Sequence, residues 1–459
     1  MALDLAALES RLDAIREKHG VAGFAFAVVQ SGSAVSLGGG GLADREPARP
    51  IGPDVVWRVG SVTKSFTGIA TLIAARQAGF DLNDPVARWV TDPPFTNRWE
   101  SAHPVRIAHL LEHTAGLLDL SRREFDSSDP TPLSLEQAFA VDLGARVVQW
   151  QPGVHSSYSN EGAGIVSLVI ERKTGRPFDE FMQTEVLARL GMREASLRLD
   201  PRTKDRLARG YDRDGRSPMP YWHVLFRAFG GLNATTADMG RYVSWLLQPE
   251  TVPLLTADEL ARLETPLTTL SARSGLRYGY GLGLYQYVHE GILWTGHGGD
   301  ADGYLSRLGY VRDAGVGYFL VINAYNGEAL EEMQETLESA LTAEVPRMPV
   351  PPPAAIPDQA LQSLSGCYAA ATRRFNWTTE DVDQVLAVRV EDGHLVARNP
   401  MGRERHWYPV NERHFRRKNE PVATLAFVED ESGGRYVQGD MGNLVRTRSD
   451  PTEPCPPPP

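Results

Sequence analysis

The chain has 459 residues, 42% hydrophobic and 23% charged, the composition of an ordinary globular protein with room for two or three domains. A formal net charge of -11 offers no basic field to neutralise phosphates and excludes a nucleic-acid binder. No run of about 18 apolar residues occurs, so no membrane-spanning helix is expected.

The first segment, MALDLAALESRLDAIREKHG, reads as an amphipathic helix with Leu5, Leu8, Leu12 and Ile15 on one face. It lacks the basic start and unbroken apolar core of a secretory signal, which gives a cytoplasmic expectation for the chain as written. A signal removed beforehand would instead place it in the periplasm or outside the cell. GFAFAVVQ is a strand, and SAVSLGGGG is its hairpin partner. From residue 61 to about 263 the pattern is mostly helical. Capping boxes are expected at Ser134 and Gln137 and at Thr256 and Glu259, and a capped helix starts near Thr236. Strand character returns in YGYGLGLYQY, GYLSRLGYV and GVGYFLVINA, and a helix over 328–343 closes the unit. Strands from both ends with helices between them predict an α/β (α+β) fold, one antiparallel sheet flanked by helices beside an all-helical subdomain.

Proline density makes 345–357, VPRMPVPPPAAIP, an extended linker, so residues 1–344 form the first domain. Residues 358–450 carry short strands broken by turn signals such as Asp392-Gly393 and Gly433-Gly434, which predicts a small antiparallel barrel of lipocalin-like style. The tail, 451–459, reads as disordered. With only Cys367 and Cys455 and no CxxC pair, a disulfide framework is not expected. Cys367 reads as a small buried residue and Cys455 as structurally idle.

Three stretches carry candidate chemistry. In WRVGSVTKSFTGIA, Ser61 and Lys64 are the sole SxxK pair, in a chain whose lysines are only 18, 64, 173, 204 and 418. On a helix the two share a face one turn apart, so a desolvated amine at Lys64 could accept the Ser61 hydroxyl proton. The plainer alternative is a serine that caps an ordinary helix. In VHSSYSNEGAG, Tyr158 could serve as acid or base and Asn160 could position a substrate carbonyl and hold Lys64. Here the alternative is a loop with Asn160 as helix cap. In LWTGHGGDADGYLSRLGYV, Gly298 and Gly299 after His297 permit close approach to a strand backbone, and the N–H near Asp300 could be an oxyanion donor. An incidental glycine turn is the alternative.

Taken in order, Ser61-Val-Thr-Lys64, Tyr158-Ser-Asn160 and His297-Gly-Gly299 resemble the penicillin-binding-protein-like serine hydrolases. That group includes class C β-lactamases, D,D-carboxypeptidases, D-aminopeptidases and related esterases. LLEHTAGLLDL (110–120), FGGLNATTADMGRY (229–242) and YGYGLGLYQ (278–286) are similar to the family as well, and the resemblance runs over residues 5–343.

The resemblance implies a β-lactamase-like α/β fold and a cofactor-free, metal-free hydrolysis of a small ester or peptide substrate through an acyl-enzyme. Ser61 would be the nucleophile, with Lys64 and Tyr158 sharing acid and base work. Asn160, His297, Gly298, Gly299 and Asp300 would bind substrate. His297 stands where most β-lactamases carry lysine; a mostly uncharged imidazole favours esterase, D-aminopeptidase or D,D-peptidase chemistry over β-lactam hydrolysis. β-Lactamase activity, acyl transfer and a slowly deacylating sensor remain alternatives. A C-terminal barrel in such relatives can reach toward the site or mediate assembly, which implies a possible homo-oligomer.

Other features are not promoted. His109 and His113 are spaced for a metal, but Glu112 would point off their face, and GGDADG lacks the later glutamate of a calcium loop. RHFRRK (413–418) reads as a solvated strand or turn.

Overall fold

A computed structural model describes residues 3–30, 34–90, 92, 94–131, 133–378, 385–439, 442–451 and 455. Nine strands belong to the larger unit: β1 Gly23–Gln30, β2 Ser36–Arg45, β3 Ala48–Pro50, β4 Val56–Arg58, β5 Asn233–Thr235, β6 Tyr285–His289, β7 Ile292–Ala301, β8 Tyr304–Val311 and β9 Val316–Ile322. Seven form one sheet in the order β3-β2-β1-β9-β8-β7-β6, and β4 and β5 pair separately. The sheet is antiparallel, and β1 joins the N-terminal hairpin to the last strand through Phe24↔Ile322 to Gln30↔Val316.

Period-2 alternation along β1 assigns the two faces. Phe24, Phe26 and Val28 pack with the helices Leu5–Lys18 and Gly327–Leu341, burying Leu8, Leu12 and Ile15 as their spacing requires. Ala25, Ala27 and Val29 face the larger core, with Val243, Tyr242 and the helix Thr236–Leu247. Between 61 and 263 the regular elements are helices apart from β5, but long loops separate them, so the stretch is less helical than expected. Both capping boxes and the Thr235 cap of the helix that starts at Thr236 are present. At the centre of that region lies the helix Thr63–Ala78, buried at every residue from Thr63 to Ala74. Gly68 on it lies so close to Leu282 that an added Cβ would sit 1.9 Å from the Leu282 carbonyl oxygen, a contact only glycine allows.

The C-terminal strands close into an eight-stranded up-and-down barrel: β10 Gly366–Ala370, β11 Val385–Glu391, β12 His394–Arg398, β13 Glu404–Pro409, β14 His414–Arg416, β15 Leu425–Glu429, β16 Arg435–Gly439 and β17 Gly442–Arg448. Asp392 and Gly393 both take positive φ (47° and 75°) and turn β11 into β12, as the Asp-Gly signal predicts. Tyr368, Trp407, Phe415, Phe427 and their neighbours fill the interior, so the barrel is a packed core. The segment 413–418 holds the strand β14 and exposes Arg413, Arg417 and Lys418 as expected, but its middle is not solvated. Phe415 is in that core, and Arg416 is buried, donating to the carbonyls of Pro351, Arg417 and Lys418.

Cys367 is buried as expected, but the reading of no disulfide and of an idle Cys455 needs correcting. Cys367 and Cys455 form a disulfide across 88 residues of sequence, so Cys455 is a structural anchor. Cys367 is buried on the first barrel strand, β10, where Cys455 meets it. Sequence separation alone carried no sign of that approach. Apart from Pro451 and Cys455, the expected disordered tail lies outside the described residues.

Candidate active site

Ser61 lies in a single tight turn, Gly60–Val62, that leads from β4 into the helix Thr63–Ala78. Gly60 takes φ +55° against β7, and a Cβ on it would meet the Asp300 backbone nitrogen at 2.5 Å. Glycine is therefore what lets the Ser61 turn and the Asp300 backbone lie side by side. The Ser61 hydroxyl is not the cap: the helix has Val62 at its N-cap position and no side-chain cap bond. Asn160 likewise begins the helix Asn160–Thr174 without capping it.

Both side chains turn instead to Lys64. Its Nζ lies 3.1 Å from Ser61 Oγ, 2.6 Å from Asn160 Oδ1 and 2.9 Å from the Phe229 carbonyl oxygen. Asn160 is held in this orientation because its Nδ2 and backbone N–H donate to Asp119, at 3.2 and 2.7 Å. Burial pushes the Lys64 ammonium well below the ordinary lysine value; Asp119 resists the fall and Arg374 adds to it. A neutral amine has two hydrogens and one lone pair. Asn160 Oδ1 and the Phe229 carbonyl can only accept, so they use the two hydrogens. The lone pair is left facing Ser61.

Tyr158 stands over this group, its ring centroid 4.8 Å from Lys64 Nζ. Burial raises its phenol above the usual tyrosine value, opposed by the Ser61 hydroxyl and Arg374, so it keeps its proton at neutral pH. The His113 ring stacks on it at 4.2 Å.

On β7, His297 faces Tyr280 Oη at 2.7 Å through Nε2 and the Gly298 carbonyl oxygen at 2.5 Å through Nδ1. A carbonyl only accepts, which assigns the proton to Nδ1 and makes the Tyr280 hydroxyl the donor to Nε2. Burial lowers His297 to about 3, and the ring is neutral at ordinary pH. Asp300 accepts from Tyr325 Oη at 2.8 Å. Ser61, Tyr158, Asn160, His297, Gly298, Gly299 and Asp300 all line one cavity of about 1200 Å³, with Lys64 beneath its floor.

The expected site residues are thus brought together, and others join them that sequence reasoning missed. Asp119 and Tyr280 sit inside stretches singled out above, LLEHTAGLLDL and YGYGLGLYQ, without a role read for either. Arg374 had no local signal, since it arrives from the barrel on the connection between β10 and β11. Its Nε donates to Asp119 Oδ2 at 2.8 Å, its carbonyl accepts from the Asp119 N–H at 2.8 Å, and its guanidinium carbon lies 4.8 Å from the Tyr158 ring centroid. Burial works against that charge, but Asp119 outweighs it and raises the Arg374 pKa. Arg373 and Trp377 add to the clamp: the Arg373 carbonyl accepts from Ser157 Oγ, and Trp377 Nε1 donates to the Leu120 carbonyl.

His109 and His113 do not converge on a metal. His109 accepts from the Arg106 N–H, Glu112 receives Arg262 and Thr268, and no metal-holding group of three or more His, Cys, Asp or Glu occurs among the described residues.

The Beta-lactamase family model matches residues 8–342, from the first helix through the last one of the larger unit. The chain belongs to the Beta-lactamase family. It is 27% identical to a beta-lactamase of Yersinia enterocolitica over 54% of this chain and 60% of that one, so it spans less than two thirds of that relative's length. It is 24% identical to a D-aminopeptidase of Gluconobacter oxydans over 86% of this chain and 74% of the relative, a span that extends into the barrel. Among solved structures, the octameric penicillin-binding protein homologue from Pyrococcus abyssi superposes with a TM-score of 0.62 at 20% identity, covering 97% of this chain and all of the other. That likeness shows a shared fold across both units. No helix among the described residues is long and apolar enough to cross a membrane.

Proposed function

We propose that this chain is a serine hydrolase that acts through an acyl-enzyme on a small ester or amide, including amides of D-configured amino acids. The observation that carries the reading is the buried Lys64 Nζ 3.1 Å from Ser61 Oγ, in surroundings where burial favours the neutral amine. In this mechanism the Ser61 hydroxyl gives its proton to Lys64 as Oγ bonds the substrate carbonyl carbon. The oxyanion so formed is held between the backbone N–H groups of Ser61 and Asp300, which Gly60 allows to lie side by side. Tyr158 passes a proton to the departing alcohol or amine, and Lys64 replenishes it. Water then attacks the acyl group along the same path in reverse. Asn160 positions Lys64 and the substrate carbonyl. The neutral His297 offers no fixed positive charge to a substrate carboxylate, which supports ester and amide cleavage ahead of β-lactam hydrolysis.

The D-aminopeptidase relative supports the amide branch. The octameric neighbour supports a self-associating assembly, which light scattering would read. The Cys367–Cys455 disulfide supports an oxidising compartment, outside the cytoplasm expected from the N-terminal sequence.

The test is a panel of short p-nitrophenyl esters, D-amino-acid p-nitroanilides, D-Ala-D-Ala peptides and a chromogenic cephalosporin, run with Ser61→Ala in parallel. The expected result is cleavage of esters or D-amino-acid anilides that Ser61→Ala abolishes. Full activity of Ser61→Ala on every substrate cleaved by the parent protein would sink the mechanism.

A further inference from the structure

One wall of the catalytic cavity is aromatic and is built by both units. Phe125, Trp222 and Phe229 come from the larger unit, and Phe375 and Trp377 come from the same barrel connection as Arg374. Their rings form an unbroken series from the rim inward. Phe375 lies 4.7 Å from Trp377, Trp377 5.7 Å from Phe125, Phe125 5.1 Å from Trp222, and Trp222 5.8 Å from Phe229. The series ends beside the proton acceptor, because the Phe229 ring is 5.2 Å from Lys64 Nζ. The same cavity also has polar lining residues, among them Asp300, Asp302, Arg307 and Tyr325.

Contact between the two units does not account for this wall by itself. Rings that served only as mortar would be covered, as Trp407 and Phe415 are inside the barrel. Trp377 instead remains 39% exposed, and Phe375 and Phe125 are half-buried, all three on the cavity. The Trp377 indole edge is pinned by its bond to the Leu120 carbonyl, which fixes the ring's position at low entropic cost. Exposed aromatic surface held rigidly beside a nucleophile recovers free energy only when an apolar group covers it.

We propose that this wall is a specificity subsite for an aromatic or other large apolar substituent of the substrate, with the barrel supplying its outer half. The inference rests on the serine-hydrolase reading of the same cavity. The fitting substrate is two-faced, with an apolar ring on the wall and polar atoms toward Asp300 and Arg307.

The experiment compares kcat/KM for methyl 3-phenylpropionate with methyl acetate, and for benzyl acetate with ethyl acetate, so that the ring is moved between acyl and leaving groups. The parent protein should prefer the phenyl-bearing member of at least one pair by ~10-fold or more. In Trp377→Ala and in Phe375→Ala that ratio should collapse toward one. A general loss of folding or activity lowers both members of a pair alike and leaves the ratio in place, so the ratio reads the subsite alone. No phenyl preference in the parent, or a preference that survives both substitutions, overturns the proposal.

Inactivity of the parent on every substrate would instead overturn the hydrolase reading. The subsite is then read by calorimetry on Ser61→Ala with 3-phenylpropionamide and acetamide. Tighter binding of the phenyl amide, lost in Ser61→Ala/Trp377→Ala, upholds it; equal binding of the two amides overturns it.

Discussion

The helix Thr63–Ala78 and the barrel connection between β10 and β11 each deliver a cationic side chain to the Tyr158 ring, both at 4.8 Å, yet the two are held in opposite states. Lys64 is sealed beneath the cavity floor, where burial pushes its ammonium well below the ordinary lysine value. Arg374 is partly open to the cavity and keeps its charge against the fully buried Asp119 carboxylate. The difference follows from the two groups themselves. An ammonium sheds its proton readily when desolvated, whereas a guanidinium does not. One region of the molecule therefore makes a base, and the other supplies a fixed positive charge beside it that helps keep it one.

Removing each side chain should break this pairing in a different way. Lys64→Met eliminates the proton acceptor and should lower kcat/KM by roughly 10³-fold or more on any substrate the parent cleaves, at every pH. Arg374→Met leaves the acceptor but strands Asp119, and a loss of roughly 10- to 100-fold is expected. Its sharper signature is in the pH profile. Arg374 lowers the Lys64 pKa and Asp119 raises it, so removing Arg374 moves the acidic limb of kcat/KM to higher pH. Arg374→Lys should restore part of the rate and of the limb position. A limb that stays in place in Arg374→Met would show that the barrel acts only as scaffold.

Stability separates the two regions further. The disulfide closes a loop of 88 residues around the barrel, and reducing it should cost about 2–4 kcal/mol, seen as a lower melting temperature in reductant. If Arg374 reaches Tyr158 only from an intact barrel, activity should fall in step with that melting. Acidification acts on groups that burial holds neutral. His109, His155 and His297 sit at about 3, 4 and 3 in the folded chain against 6.5 in ordinary surroundings. The unfolded chain binds more protons between those values. Stability is therefore complete above pH 6.5 and falls toward pH 4 by about 1.4 kcal/mol per pH unit for each histidine. Denaturant titrations across that range would check the slope.

Much of this was legible from residue order. Alternating apolar residues fixed strand faces, Ser134 and Thr256 announced their helices, and Asp392-Gly393 announced its turn, because these signals act within a few residues. The three motifs named their members for the same reason. Each carries its chemistry on one turn or one strand, so Ser61 and Lys64 stay partnered wherever the helix is placed.

The remainder was decided only by tertiary structure. Whether Lys64 is a charged surface residue or a neutral base depends on what covers it, and Phe229, Asn160 and Tyr158 come from distant parts of the chain. Arg374 lies 310 positions beyond Lys64 in number, in a unit that reads from sequence as a separate barrel, and nothing in TRRFNW marks it for Asp119. The Cys367–Cys455 pairing was misread for a related reason, since a disulfide needs two backbones to approach and that approach is a property of barrel closure. Sequence determined which groups could react and which local shapes they adopt. Packing of the barrel connection over Asp119 and Tyr158 determined their charge, their partners and the aromatic wall beside them, because desolvation and long-range contact exist only once the chain has folded.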